Sequence, residues 1–567
     1  MKRLISVARG NAAADLVLAN ARIVNTFSGE VEEGDIAVCK GRIAGIGEYG
    51  RAEEVIDLAG KYVSPGLING HIHPESSMLH ITRYAEAVVP RGVSGIVTDL
   101  HEITNVKGLD GAKYILDCAR DLPLDLYFMV PSCVPATHLE TAGARLTADD
   151  ISTALTWEGS IGLGEMMNYP GVLSADDEVL AKISAAAGTV IDGHSPGVGG
   201  RDLNAYIACG IDSDHESTSL EEAREKLRRG MYVMIREGSS EKNLEELLPL
   251  VTDRTYKRCL FVVDDRNCAD LLRDGEIDAV VRKAIALGMD PVRAIQLATI
   301  NAADRFRLRD VGAVAPGYHA NLVVMEDPSR FEADMVFYRG RLVARDSKPL
   351  FPSPSLDDSS HEAMTRTMNV KPFESEALRI PTDGWSHPVI GIVPDQIITR
   401  KLTEEAKVEN GLVVADIDRD ILKLAVVERH RATGNIGLGL VKGFGLKRGA
   451  LASSVGHDSH NIISVGTNDG DMYAAIREVE RVGGGLVAVA EGTILGTLPL
   501  PIAGLLSDEP LSEIVEKLEK LEITAKELGT ALSAPFDTLS FLALPVIPEL
   551  RLTDKGLVDV LEFKLLE

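Results

Sequence analysis

The sequence predicts an α/β protein: a (β/α)8 barrel with a discontinuous small β domain and an additional C-terminal α/β domain. Three observations point there. Between residues 64 and 310 short apolar runs recur, each ending in a polar residue and followed by a helix-like stretch. Turn-rich β segments flank that region on both sides. A Pro-, Ser- and Asp-rich stretch, "SKPLFPSPSLDDSSHE", then reads as a linker to a Gly-rich remainder.

The chain opens with "ADLVLANARIVN", "GDIAVCKGRIAGIGE" and "EVIDLAGKYVSPG", alternating runs punctuated by glycine, as short strands require. Similar material returns as "GAVAPGYHANLVVMEDP" and "DMVFYRGRLVA". Residues 1–63 and 311–350 are therefore expected to form one β domain interrupted by a long insert. Within the insert, 64–310, the runs are "SPGLINGHIH", "SGIVTDLHE", "LDLYFMVPS", "SIGLGEMMN", "GTVIDGH", "GIDSDHE", "MYVMIREGS" and "CLFVVDD". They alternate with helical patterns such as "SLEEAREKLRRG" and "EIDAVVRKAIALG". Strand–helix alternation implies a parallel sheet, and eight units suggest a closed barrel whose active site lies at the C-terminal strand ends. Residues 351–567 form the third expected unit. Its "GFGLKRG" reads as turns, since no clear helix follows to make a nucleotide loop.

Composition narrows the partners. The 567 residues are 45% hydrophobic and 25% charged, with a net charge of −26. Such acidity argues against nucleic acid and anionic membranes, and favours a small neutral or weakly cationic substrate. It is also compatible with a homo-oligomer. The six cysteines are scattered without a C-x-x-C pair, which suits a reducing compartment and excludes a thiolate zinc cluster on spacing. No signal-peptide core and no run of 18 uncharged apolar residues is present, so the expected location is cytoplasmic, with no membrane span.

Chemistry gathers at the strand ends. The first offers His71 and His73, two apart and so on one face of a strand. The second offers Asp99, His101 and Glu102, the fourth Glu165, the fifth His194, the sixth His215, and the eighth Asp264 and Asp265. Five of the thirteen histidines fall at these ends, a concentration that core packing does not explain. Imidazole and carboxylate without thiolate suit Mn, Fe or Zn. The set is too large for one tetrahedral ion and suits two divalent ions, with Glu165 as the natural bridge.

The motifs "HIHPESSM", "DLHEITNV", "GEMMN", "DGHSPG", "DSDHE", "IREGSS", "DDR" and "HDSHNIISVGTND" resemble, in order, those of the amidohydrolase superfamily and specifically the bacterial adenine deaminases. The resemblance implies hydrolysis of adenine to hypoxanthine and ammonia by a metal-bound hydroxide at a binuclear centre, commonly Fe or Mn. Carried over by position, it implies His71 and His73 on one ion, His194 and His215 on the other, Glu165 bridging and Asp264 completing the site. Asp264 is also the implied acid/base, with Asp265 the runner-up. Glu102 or Glu75 would protonate a ring nitrogen, and His101 would add a ligand or polarise the leaving amine.

Where the family reads "DDRH" this chain reads "DDRN", so Asn267 takes a position expected to contact substrate. An N6-substituted adenine or another aminated heterocycle is the alternative substrate. The lack of lysine in "GLGEMM" disfavours carbamylated-lysine amidases. Arg236 is expected either at the substrate or in an ion pair with Glu237. His457 and His460 in "GHDSHN" have a spacing that suits a metal, but a polar turn capping a helix is the favoured reading.

Overall fold

The computed structural model describes residues 1–352, 358–382, 384, 386–394 and 396–566. The middle of the expected linker, 353–357, lies outside the described residues.

Strand Ala14–Asn25 organises a nine-stranded sheet. It pairs antiparallel with Glu30–Cys39 and parallel with both Ala52–Asp57 and Tyr62–Pro65. Tyr62–Pro65 then pairs antiparallel with Leu322–Met325, Leu322 opposite Pro65, and the sheet continues through Met335–Tyr338 and Arg341–Arg345. Strands from both flanks of the long insert thus share one sheet. Leu18, Ile23, Ile36, Val63, Leu322, Val324 and Phe337 form its core.

Inside the insert the strands are parallel and largely buried, as near-continuous apolar runs should be. Leu67–Asn69, Val93–Thr98, Asp125–Val130, Ser160–Met166 and Val190–Gly193 form one ladder. Ser213–Asp214, Tyr232–Arg236 and Cys259–Val262 form a second. Asp264–Asp265 pairs parallel with Ile72–His73, returning the sheet to its first segment. The result is a curled parallel sheet.

At the seam between Val190–Gly193 and Ser213–Asp214 side chains take over from the backbone ladder. Ser213 Oγ accepts from the Gly193 N–H at 3.1 Å, and Asp214 Oδ1 accepts from the Ser195 N–H at 2.9 Å and its hydroxyl at 2.8 Å. A Cβ on Gly193 would lie 2.2 Å from the Ser213 carbonyl oxygen, so the close approach needs glycine. The helices between strands carry their own start signals. Asp176 and Ser219 cap Asp177–Ala185 and Leu220–Arg228, and Thr147 with Asp150 forms a capping box before Ala148–Ala154.

The C-terminal region is built on an eight-stranded sheet, antiparallel except where Ser386–Ile392 meets Ile436–Lys442. Helix Leu511–Leu528 buries Ile514, Val515, Leu518, Leu521, Ala525 and Leu528, a stripe at three- and four-residue spacing. This region does not stand apart from the parallel sheet. The His80 N–H donates to the Ser507 carbonyl and the Ser507 N–H to the Met78 carbonyl, at 2.8 and 2.9 Å. Thr553 Oγ1 donates to the Leu139 carbonyl at 2.7 Å. Among the described residues no helix is long and apolar enough to cross a membrane.

Candidate metal centre

The strand ends converge on Glu165. Its Oε1 lies 3.1 Å from His73 Nε2 and 3.8 Å from His71 Nε2, while its Oε2 lies 2.7 Å from His194 Nδ1 and 3.2 Å from His215 Nε2. One oxygen faces each histidine pair. Asp264 faces the same space, its Oδ1 3.1 Å from His73 Nε2 and 3.4 Å from His71 Nε2. Its backbone is left-handed, at φ +64°, a conformation Asp tolerates better than most side chains. That turn separates the acidic pair. Asp264 is buried in the cluster, whereas Asp265 accepts from Ser76 Oγ and lies 3.3 Å from Arg236 Nη2.

Local backbone choices aim these groups. Leu100 is held at φ +51°, which costs a branched L-residue roughly 1–2 kcal/mol and turns the chain sharply between Asp99 and His101. A Cβ on Gly164 would lie 2.7 Å from that of Asp99, so glycine before Glu165 makes room for the second strand's carboxylate. Asp99 Oδ1 lies 3.2 Å from His73 Nδ1 and 3.0 Å from His101 Nδ1. Asp192 Oδ2 lies 3.6 Å from His71 Nδ1. Carboxylates thus lie on the Nδ1 side of both rings while Nε2 of His71 and His73 faces Glu165 and Asp264, the side-of-ring arrangement common around metal-ligating histidines. His71 Nε2 is buried and has no hydrogen-bond partner. Such an orphan in a nest of carboxylates is what a cation would satisfy, and several combinations of these residues lie close enough to hold one.

Electrostatics agree with this geometry. Burial opposes the charge on His71 and His194, yet the carboxylates around them raise the two rings to about 10 and about 9. Burial resists ionisation of Glu165 and Asp264, but the imidazoles, and Arg236 beside Asp264, hold both well below the usual carboxylate range. Burial pushes Glu75 up to about 7. Its Oε2 is unpartnered, and it lines a chamber with Ser76, Asp265, Asn267, His457 and Phe541.

Several expected positions have further partners. Arg236 is buried and engaged by Glu216, by Glu241 and Asp264 at 2.8 Å, and by Asp265. The expected Arg236–Glu237 pair is not formed: Glu237 binds Lys283 and the Leu244 N–H instead. Asn267 lines the chamber but caps helix Cys268–Arg273, accepting from the Asp270 N–H at 2.8 Å. No helix follows "GHDSHN", because Ile462–Gly466 is a strand, so the capping reading of His457 and His460 is corrected. Both imidazoles lie against Glu102.

Sequence reasoning placed Asp99 at a strand end but gave it no role, and it missed Asp192, Asp214 and Glu216. The signal was their proximity to histidines in "IDGH" and "DSDHE". Asp214 also holds Lys226, a wholly buried ammonium 2.8 Å away that donates to the Ser195 carbonyl at 2.7 Å and so secures the turn after His194.

Residues 62–343 match the amidohydrolase family, and residues 396–564 match the adenine deaminase C-terminal domain. An adenine deaminase of Dehalococcoides mccartyi is 58% identical over 100% of this chain and 99% of its own. Adenine deaminase 2 of Carboxydothermus hydrogenoformans is 51% identical over 99% of this chain and 98% of its own. A solved D-aminoacylase structure aligns with 60% of this chain and 98% of its own at 17% identity, with a TM-score of 0.44.

Proposed function

The chain belongs to the adenine deaminase family of the amidohydrolases, and from that premise we propose how its residues divide the hydrolysis of adenine to hypoxanthine and ammonia. His71 and His73 would hold one divalent transition-metal ion and His194 and His215 a second, with Glu165 lying between the two pairs and Asp264 completing the set. The observation that carries this reading is the division of Glu165, one oxygen toward each histidine pair. The donors suit Mn or Fe, and also Zn. When bound, such ions supply Lewis acidity and ease deprotonation of water.

The chain's own groups do the rest. Asp264, facing both histidine pairs, accepts the proton of the attacking water and passes it toward the leaving amine. Asp265, on the chamber side with Ser76, orients substrate. Glu75 lines the chamber, keeps an unpartnered Oε2 and serves as the acid at a ring nitrogen. Glu102, already engaged by two imidazoles, is the weaker candidate for that role. His101 sits between Asp99 and Glu102 and faces the leaving group. Arg236 gathers carboxylates from the sixth, seventh and eighth strand ends, Glu216, Glu241, Asp264 and Asp265, and Asn267 forms part of the chamber wall. The return of Asp264–Asp265 to Ile72–His73 supports a closed (β/α)8 barrel around this centre. The six free cysteines support a cytoplasmic setting.

Chromatographic measurement of substrate loss and product formation by the metal-loaded protein, with ammonia measured for the primary amines and methylamine for the N6-methyl substrate, tests the assignment. The panel is adenine, N6-methyladenine, guanine, cytosine and a cyclic amide, and adenine is expected to give the highest kcat/KM. Faster turnover of N6-methyladenine would move the assignment to the substituted purine, and turnover of the cyclic amide alone would end it.

A further inference from the structure

We propose that His457 and His460 are positioning residues through which the C-terminal region fixes the Glu102 carboxylate inside the active centre. The inference rests on the reading that His101 and Glu102 belong to that centre. Glu102 is buried on the helix that follows the second parallel strand, and each of its oxygens meets a different imidazole. His457 Nδ1 lies 2.9 Å from Oε1, and His460 Nε2 lies against Oε2. The two histidines are more than 350 residues away in sequence, on the turn between strands Ala450–Ser453 and Ile462–Gly466.

Two imidazoles and a carboxylate at this spacing are also a plausible cation site, so the hydrogen bonding has to decide. His460 Nδ1 accepts the Gly456 N–H at 3.3 Å. A neutral imidazole carries one proton, so that of His460 resides on Nε2, the nitrogen facing Glu102. A protonated nitrogen donates and does not ligate. The geometry is that of a clamp.

The clamp is braced from behind. Arg429, wholly buried, donates from Nε to the His460 carbonyl and from Nη2 to the Ala503 carbonyl at 2.9 Å. The His430 ring donates to the Ser459 carbonyl at 2.7 Å, and Asn461 Nδ2 to the Thr141 carbonyl at 2.8 Å. The His457 ring stacks on Phe541 with centroids 4.6 Å apart, and the Phe541 carbonyl accepts from Arg551 at 2.8 Å. On the other side Glu102 Oε1 lies 3.5 Å from His101 Nε2, and the His101 ring packs edge-on against His73, centroids 4.4 Å apart. Glu102 therefore passes the position of the C-terminal turn to His101 and on to His73.

The test compares His460→Ala with His460→Gln, whose amide can still donate to Glu102, and His457→Ala with His457→Asn. The alanine variants are expected to lose about tenfold or more in kcat with KM changed by less than about threefold, as loss of a charge-assisted hydrogen bond at a reacting centre implies. The amide variants should recover most of that loss. Metal content and Tm should match the wild type throughout. The contrast can be read on whichever purine of the panel the wild type turns over, so a wrong substrate assignment leaves it measurable. Equal activity in the alanine and amide variants, whether high or low, overturns the proposal. So does a third metal ion that the wild type holds and His460→Ala lacks.

Discussion

On the strand-end side of the site, imidazoles and carboxylates crowd within 2.7–3.8 Å of one another, and His71 Nε2 has no hydrogen-bond partner. On the C-terminal side, both ring nitrogens of His460 are answered, one by the Gly456 N–H and one by Glu102. Of two buried imidazoles, one is left in want and the other is satisfied, although Asp458 Oδ2 in the same turn as His460 is unpartnered. Buried polar networks are stable only when complete. The open imidazole of His71 is the one a cation would complete, and the answered imidazole of His460 belongs to the frame beside it.

The most severe break in that contrast comes from Asp264→Asn. Asparagine keeps the shape but cannot take a proton, so kcat should fall at least about a hundredfold, far more than KM rises. Asp265→Asn should lose much less, since that carboxylate bonds Ser76 and lies at the chamber wall. Metal must be measured in both. If Asp264→Asn stays active with its metal while Asp265→Asn is dead, the assignment within the pair reverses.

Metal analysis draws the line between the halves directly. Purified protein should carry about two transition-metal ions per chain. His71→Ala or His194→Ala should lower that number, and His457→Ala should not. Active protein without metal would contradict the binuclear reading.

A smaller effect sharpens the comparison within the strand-end half, where some charge is frame as well. Asp214→Asn leaves the Lys226 ammonium buried with Glu222 and the Ser195 carbonyl alone. The cost should be about 1–3 kcal/mol, read as a fall of a few degrees in Tm. An unchanged Tm would show that Lys226 finds enough compensation without Asp214.

Much of the strand-end half was legible because its signals are local. An apolar run that stops at His71, Asp99, Glu165 or His194 announces a strand whose end is meant to be polar. The order of those ends around a parallel sheet then brings them together. The second strand's Asp99 was harder to interpret, because its role depends on distances of 3.0–3.2 Å to two imidazoles rather than on any spacing. The clamp on Glu102 was beyond reach for the same reason. Sequence patterns describe which face of an element a residue takes, whereas the meeting of Glu102 with His460 is fixed by how one sheet docks on another. "GHDSHN" looked like a helix cap because histidine, aspartate and serine before an apolar run suit that use equally well.

The nine-stranded sheet sets an order in time. Tyr62–Pro65 has its antiparallel partner in Leu322–Met325, roughly 260 residues downstream. A ribosome working at about 5–20 residues per second needs roughly 13–50 s to make that stretch. Throughout that interval one edge of the earliest strands is unpaired, open to other chains as exposed edges are. The sheet that is begun first is the one finished after the whole parallel sheet has been made, and a newborn chain needs its edge protected until then.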